Sequence, residues 1–134
     1  HADVNRDGQV DLIVSAGHGT GISWLEGPDW VEHTVDPAIV DTHALATGDF
    51  DGDGLPDLAA ISFTEKRVFW YRNQGDGTFG KSAISPESPQ EAYDLHALDI
   101  DGDGRTDLVA AGRATENIVW FRNLPAEKPQ TSAP

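Results

Sequence analysis

The hydrophobic residues of this chain fall into short runs separated by segments rich in Asp, Gly and Asn. Three of these runs are rich in β-formers and small residues, and they cover residues 12–16, 58–63 and 108–111. Short apolar runs bounded by turn residues are typical of buried β-strands. A second run follows each of the first, at residues 21–25, 67–73 and 117–123. The pattern therefore predicts at least two strands in each of three segments.

Further strands are predicted on either side of these pairs. Residues 31–35 and 79–84 resemble outer strands, and each follows a turn-rich segment, Gly27-Pro28-Asp29 or Gly75-Asp76-Gly77. Residues 43–50 and 93–100 form another apolar run ahead of the second and third segments. Together these runs predict up to four strands in each segment.

Each segment opens with the same acidic pattern, Asp-x-Asp/Asn-x-Asp-Gly-x-x-Asp-Leu. The three copies begin 46 and 50 residues apart, at Asp3, Asp49 and Asp99. A tryptophan lies 21 residues after each first aspartate, at Trp24, Trp70 and Trp120. This identical spacing indicates that the loop and the next two strands superpose without a gap. Four short strands in a period of about 45 residues are typical of a β-propeller blade.

We therefore predict an all-β fold of about three propeller blades, each a four-stranded antiparallel sheet. The blades cover residues 1–123, at about 1–40, 41–90 and 91–123, and the proline-containing residues 124–134 are predicted to be a flexible tail. Only His1 and Ala2 remain of the strand that should precede the first loop. Closed propellers typically have about four to eight blades. We therefore expect self-assembly, which a solution mass would show, or continuation in a longer chain.

The acidic loops present oxygen atoms at alternating positions, as a calcium ion requires. Positions 1, 3, 5 and 9 carry carboxylate or amide oxygens, and position 7 can direct its backbone carbonyl inward. Glycine at position 6 permits the sharp bend between them. The predicted ligands are Asp3, Asn5, Asp7, Gln9 and Asp11, then Asp49, Asp51, Asp53, Leu55 and Asp57, then Asp99, Asp101, Asp103, Arg105 and Asp107. We expect about three Ca²⁺ per chain, with the first loop weakest because Asn5 replaces an aspartate.

Other interpretations of the loops fit less well. An EF-hand shares positions 1, 3, 5 and 6, but it needs a glutamate at position 12 and flanking helices. Position 12 is instead Val14, Ala60 or Ala110, within an apolar strand. Asp-Gly segments also form ordinary turns, but three copies in register favour a metal. Mg²⁺ is a poorer candidate because it prefers a stricter octahedron and retains water molecules.

Two segments of the second repeat resemble a known family. They are Asp-Phe-Asp-Gly-Asp-Gly-Leu-Pro-Asp-Leu and Val-Phe-Trp-Tyr-Arg-Asn-Gln-Gly-Asp-Gly-Thr-Phe-Gly, and they are similar to the FG-GAP or VCBS repeats of calcium-binding β-propellers. Such repeats occur in integrin α-subunits, fungal lectins and secreted or surface proteins of bacteria. The resemblance covers residues 1 to about 123 and implies calcium ligands at loop positions 1, 3, 5, 7 and 9. Two features depart from it: Glu26-Gly27 stands where the other repeats have Arg-Asn, and the third repeat lacks Gly-Asp-Gly-Thr-Phe, which argues against an outer strand there.

Composition narrows the possible partners. The formal charge is −14, from 23 acidic and 9 basic residues, and eleven of the acids lie in the three loops. Nucleic acid and anionic membrane surfaces are poor partners for such a chain. No long apolar run or leader-like segment is present, so we expect no membrane insertion. The absence of cysteine excludes disulfides and thiol chemistry.

No catalytic residue and no organic cofactor site is predicted. His43 and His96 precede loops in the expected innermost strands, but their registers differ and they would not form one ring with His1. His18 and His33 are expected in an exposed turn and on an outer strand. The three repeated tryptophans are predicted to pack between neighbouring sheets, because a core requires periodicity. Trp30, which is not repeated, is predicted to lie at the surface.

The combined prediction is a calcium-stabilised module that acts outside the cell or on its surface. By the resemblance, it would recognise a carbohydrate or protein partner. One alternative is a part of a propeller-type polysaccharide lyase or sugar dehydratase, in which His43, His96, Tyr93 and Arg113 would be the residues to test. Another alternative is a self-assembling fragment without a ligand. Enzymatic activity is therefore left open, with binding favoured.

Overall fold

A computed structural model describes residues 1–84 and 91–125 of the chain. These residues contain ten β-strands and no α-helix, which confirms the predicted all-β class. The strands are β1 Leu12–Ser15, β2 Thr20–Glu26, β3 Val31–Val40, β4 Thr42–Gly48, β5 Asp57–Ser62, β6 Arg67–Asn73, β7 Phe79–Ala83, β8 Ala92–Leu98, β9 Asp107–Gly112 and β10 Asn117–Phe121. Among the described residues, none belongs to a helix long and apolar enough to cross a membrane. Most of the predicted tail, residues 126–134, lies outside the described part of the chain.

The strands form three antiparallel sheets that correspond to partial propeller blades. The first sheet has the order β1-β2-β3, the second β4-β5-β6-β7, and the third β8-β9-β10. In the part of the chain that the structure describes, only the second sheet has four strands. Within the described residues the third sheet has no outer strand, as the missing Gly-Asp-Gly-Thr-Phe sequence indicated.

The first sheet keeps a remnant of an inner strand. Ala2 forms an isolated antiparallel bridge with Asp11. At the equivalent place, Gly48 of β4 pairs with Asp57, and Leu98 of β8 pairs with Asp107. Ala2 therefore occupies the place at which the inner strand ends in the other two sheets.

The second sheet is buried on both faces. Leu58 and Ala60 of β5 belong to a hydrophobic cluster shared with the first sheet, which also contains Ile22 and Ile39. The alternate residues of β5, Ala59 and Ile61, belong to the cluster shared with the third sheet. This two-sided burial explains why β5 is apolar at nearly every position instead of alternating.

The third strand of the first sheet is longer than predicted, because Asp36 does not end it. Asp36 is only 8% exposed. It accepts hydrogen bonds from the Tyr71 hydroxyl at 2.7 Å and from Lys81 Nζ at 2.8 Å. Burial alone would raise the pKa of Asp36, but the bonds from Lys81, from the Ala38 N–H and from Tyr71 outweigh it and lower this pKa to about 2. The carboxylate thus joins β3 to β6 and β7.

Replacing Asp36 with asparagine is expected to lower the free energy of unfolding at neutral pH by about 2 kcal/mol. The pKa of Asp36 is lower in the folded chain than in the unfolded chain. Its stabilisation is therefore fully present above about pH 4 and is lost as the pH falls through about 2. Denaturant unfolding at a series of pH values should give a flatter profile over this range for Asp36→Asn. The exposed Asp29→Asn is the control, and an Asp36→Asn profile parallel to it would contradict the account.

The tryptophans pack between sheets wherever a following sheet is present. Trp24 is 2% exposed. Its ring lies so close to Gly77 of the second repeat that a Cβ added to Gly77 would be 3.2 Å from Trp24 Cζ2. Trp70 is half-buried and lines a small cleft with Leu108 and Phe121 of the third sheet. Trp120 is 45% exposed, because no sheet follows it in the described residues. The third sheet thus presents a face suited to one more blade, and self-assembly stays a prediction.

Candidate metal centres

The first aspartate of each loop holds the turn closed. Asp49 accepts backbone hydrogen bonds from Gly52 at 2.7 Å and from Gly54 at 2.8 Å, one on each carboxylate oxygen. The position-6 glycines adopt φ angles of +86° at Gly8, +80° at Gly54 and +85° at Gly104. This left-handed conformation confirms the predicted reason for glycine there. Asp3 and Asp99 accept bonds from their own loops in the same way.

The ninth residue of each loop is buried and binds backbone on both sides. Asp57 is fully buried. It accepts a hydrogen bond from the Phe50 N–H at 3.1 Å and another from the Asn73 N–H at 2.8 Å. Asp11 accepts from Val4 and Gly27, and Asp107 accepts from Ile100 and Asn123. The carboxylate therefore ties the start of the loop to the end of the second strand, a role that sequence reasoning missed. Each oxygen retains lone-pair capacity for a further partner.

The two buried aspartates in the second and third sheets differ in their electrostatics. Burial raises the pKa of Asp57, and its backbone hydrogen bonds do not fully offset that effect. Burial also acts to raise the pKa of Asp107, but the N–H groups of Asn123 and Ile100 outweigh it, and this pKa is lowered. A cation beside Asp57 would favour its charged form.

Two loops bring three carboxylates together. Asp49, Asp51 and Asp57 each place one oxygen within 4.8 Å of the others, and Asp99, Asp101 and Asp107 do the same. These donors are all hard oxygen atoms, which suit a divalent cation such as Ca²⁺ or Mg²⁺. Such clusters could hold a metal ion. Across the described residues, Asp3, Asp7 and Asp11 do not form a third acidic cluster of this kind.

The position-5 aspartates lie outside these clusters and contact other groups. Asp53 accepts the Leu55 N–H at 2.8 Å and contacts Arg72 Nη2 at 3.3 Å. Asp103 accepts the Arg105 N–H at 3.0 Å and also pairs with the Arg105 guanidinium. In the first loop, Asp7 accepts the Gln9 N–H at 2.7 Å. The participation of position 5 and of the position-7 carbonyls in metal binding stays a prediction.

An asparagine that recurs in the second and third repeats fastens the loop of the preceding repeat to its own sheet. The Asn73 side-chain amide donates to the carbonyl of Val4 in the first loop at 2.9 Å and to that of Pro56 at 3.1 Å. Asn123 donates in the same way to Phe50 at 2.7 Å and to Thr106 at 3.1 Å. The repeated Arg-Asn after the tryptophan was the available signal for this contact. The first repeat has Gly27 instead, where a Cβ would lie 2.4 Å from the Val10 carbonyl oxygen.

An aromatic cluster lies where the inner strands β4 and β8 begin, at the strand ends opposite the loops. The His43 ring lies 4.4 Å from that of Tyr93 and 4.6 Å from that of His18, measured between centroids. Phe63 contacts both His43 and Tyr93. Arg113 stacks on Tyr93 at 5.2 Å. Three of the four residues named for a catalytic alternative, His43, Tyr93 and Arg113, therefore come together.

The other histidines lie apart from this cluster. His96 is exposed and contacts Asp94 at 3.1 Å. His33 contacts Glu26 at 2.7 Å and stacks on Trp24 with a centroid separation of 4.2 Å. His1 is exposed. The prediction that His43 and His96 would not share one ring is consistent with these positions.

Comparison with known proteins supports the repeat assignment. A sequence model for the family described as FG-GAP-like repeat matches residues 3–60 and again residues 49–110. The two overlapping matches include all three acidic loops. A search among curated proteins found none that matches the chain.

Proposed function

Since the chain belongs to the FG-GAP-like repeat family, we propose that it is a calcium-stabilised β-propeller module that binds a partner or serves as a scaffold outside the cell. The two carboxylate triads at equivalent places in successive sheets carry this proposal. Ordinary Asp-Gly turns do not require three carboxylates to converge. Repeated convergence is what a divalent cation would demand.

Calcium suits the donor set better than other common metals. The clustered side chains offer oxygen donors on surface loops, without the imidazole or thiolate that zinc and copper favour. Bound ions would neutralise the repelling carboxylates and fix each turn, so their binding free energy would add to folding. Three Ca²⁺ would change the net charge from −14 to about −8. Extracellular modules bind Ca²⁺ with Kd values of about 10⁻⁴ to 10⁻³ M, which suits exposed loops.

Removing calcium with EGTA is expected to lower the melting temperature substantially. Each saturated site contributes about 2.7 kcal/mol when the free ion is at one hundred times its Kd. Differential scanning calorimetry of the full chain, with excess Ca²⁺ and with EGTA, measures the difference. Adding Ca²⁺ back should restore the transition, whereas Mg²⁺ at the same concentration should restore less. An unchanged transition in EGTA would contradict the proposal.

The aromatic cluster of His18, His43, Phe63, Tyr93 and Arg113 favours a second candidate function, the recognition or conversion of a ligand at the end opposite the loops. Aromatic faces suit sugar rings, and Arg113 can pair with an acidic group. Glycan binding without turnover would support a recognition module. Turnover of an acidic polysaccharide that is lost in Tyr93→Ala, while calcium-dependent melting is retained, would support an enzyme.

A further inference from the structure

The two junctions between sheets inside the chain use the same repeat positions. We call the side of a sheet that faces the preceding repeat its leading face, and the opposite side its trailing face. Ile22 on the trailing face of the first sheet shares a buried cluster with Ala60 on the leading face of the second. Their equivalents Val68 and Ala110 share the cluster between the second and third sheets. Each junction is therefore a trailing face packed on a leading face.

The trailing face of the third sheet is uncovered in the described residues. Ile118 lies there and is 78% exposed, although its equivalents Ile22 and Val68 are fully buried. Trp120, two residues further along the same strand, is exposed as well. Strand β10 carries no charged side chain. This surface thus has the apolar character of a buried junction without a sheet to cover it.

The leading face of the first sheet is uncovered in the same part of the chain. Leu12 and Val14 lie on it and are 40% and 39% exposed. The residues at these positions in the second sheet, Leu58 and Ala60, are fully buried. Strand β1 has no charged side chain either. The chain therefore presents one uncovered face of each kind.

We propose that these two faces bind one another between two copies of the chain, with Ile118 of one copy against Val14 of the other. The internal junctions, where Ile22 meets Ala60 and Val68 meets Ala110, are the pattern for this contact. Because the two surfaces differ, the contact is head-to-tail.

Two copies are the number that covers every such face within a ring of ordinary size. Each copy has three sheets, so a pair that forms the contact twice closes a ring of about six blades, within the usual range of about four to eight. Three copies would exceed that range. The inference does not depend on the calcium function.

The contact between copies is expected to be weaker than the junctions inside the chain. Asn73 and Asn123 strengthen the internal junctions by donating to the loop of the preceding repeat. The first sheet has Gly27 at this position, so the Ile100 carbonyl of the third loop would gain no such donor. Two copies with a formal charge of −14 each also repel one another. Association should therefore be reversible and should strengthen with added NaCl, which screens the repulsion.

Sedimentation velocity of the full chain in excess Ca²⁺, at an ionic strength of about 0.15 M, measures the association. The mass is expected to rise from 14.4 kDa to twice that value as the concentration increases. Ile118→Asp places a charge in both contacts of the pair and should raise the midpoint concentration by at least about a hundredfold. Val14→Asp should have a similar effect. Both residues are exposed in the single chain, and circular dichroism checks that each variant folds.

The control is Val31→Asp, the same exchange at another exposed valine of the first sheet. Val31 pairs with Glu26, which lies on the Trp24 side of the sheet and thus away from the proposed contact. Its replacement should leave the midpoint within about twofold of its original value.

Single cysteines test the orientation, because the chain has none of its own. A mixture of Val14→Cys and Ile118→Cys, treated with a short bismaleimide, should give a crosslinked pair that contains one copy of each variant. Neither variant alone should crosslink, because identical faces do not meet in a head-to-tail contact.

Three results would overturn the inference. The chain could stay at 14.4 kDa at every concentration, or it could associate without being weakened by either aspartate. Crosslinking of Ile118→Cys alone would show that third sheets pair with one another. None of these results bears on calcium binding, which the comparison of melting in Ca²⁺ and in EGTA tests separately.

Discussion

Replacing Asp57 with alanine is expected to lower the free energy of unfolding by about 3 to 5 kcal/mol in EGTA, and by more in Ca²⁺ because Asp57 also belongs to a carboxylate triad. Asp57 is fully buried and accepts the N–H groups of Phe50 and Asn73. Alanine would leave both donors without a partner, and each buried unpaired donor costs about 1 to 3 kcal/mol. Asp57 also lies in the second sheet, on which the first and third sheets pack. Chemical denaturation in Ca²⁺ and in EGTA measures the change.

The matched control is Asp51→Ala in the same loop. Asp51 belongs to the same carboxylate triad but is exposed and holds no buried backbone group. Its replacement should lower stability in Ca²⁺ and have little effect in EGTA. Equal losses for Asp57→Ala and Asp51→Ala in EGTA would show that Asp57 has no separate structural role.

Replacing Asn73 with alanine is expected to lower the free energy of unfolding by about 2 to 4 kcal/mol, because it weakens the junction between the first and second sheets. The Asn73 side chain is 1% exposed and donates to carbonyls on two different loops, those of Val4 and Pro56. It also accepts the Gly75 N–H at 2.9 Å. Its loss would leave the Val4 carbonyl without this partner at a junction where Val4 itself is fully buried.

The neighbouring Gln74→Ala is the control for this prediction, because Gln74 is exposed. Hydrogen exchange of the first sheet should accelerate in Asn73→Ala and stay unchanged in Gln74→Ala. If Asn73→Ala melts like Gln74→Ala, the amide does not hold the two sheets together.

The sequence predicted those parts of the fold that depend on local pattern. The predicted strand at 67–73 coincides with β6, because an apolar strand between a polar turn and Gly75-Asp76-Gly77 has clear limits on both sides. The loops were found because three copies share one spacing. Local repetition also identified the position-6 glycines, whose positive φ follows from the turn itself.

The missed features depend on partners distant in the chain. The sequence Asp36-Pro37 is typical of the end of a strand. Strand β3 nevertheless continues, because Tyr71 and Lys81 of the next sheet bind the Asp36 carboxylate. Asp57 was recognised as a possible ligand, but its two backbone donors come from separate segments. The exchange of Asn5 and Glu26 was visible as two separate departures from the repeat. Only the structure shows that these two residues meet, through a hydrogen bond from Asn5 Nδ2 to Glu26 Oε1 at 2.9 Å.

Exposure of the third tryptophan also could not be derived from the repeat. Trp24 and Trp120 hold the same place in the pattern, but they are 2% and 45% exposed. The difference arises because the second sheet covers Trp24, whereas no sheet follows Trp120 in the described residues. Equivalent positions in a repeat share a backbone conformation, while their burial depends on their neighbours.

Anomalous scattering from crystals grown in excess calcium tests the central claim most directly. The account predicts one calcium peak in each of the three loops, within coordination distance of carboxylate oxygens. Loops that keep their present fold in such crystals and show no peak would contradict it.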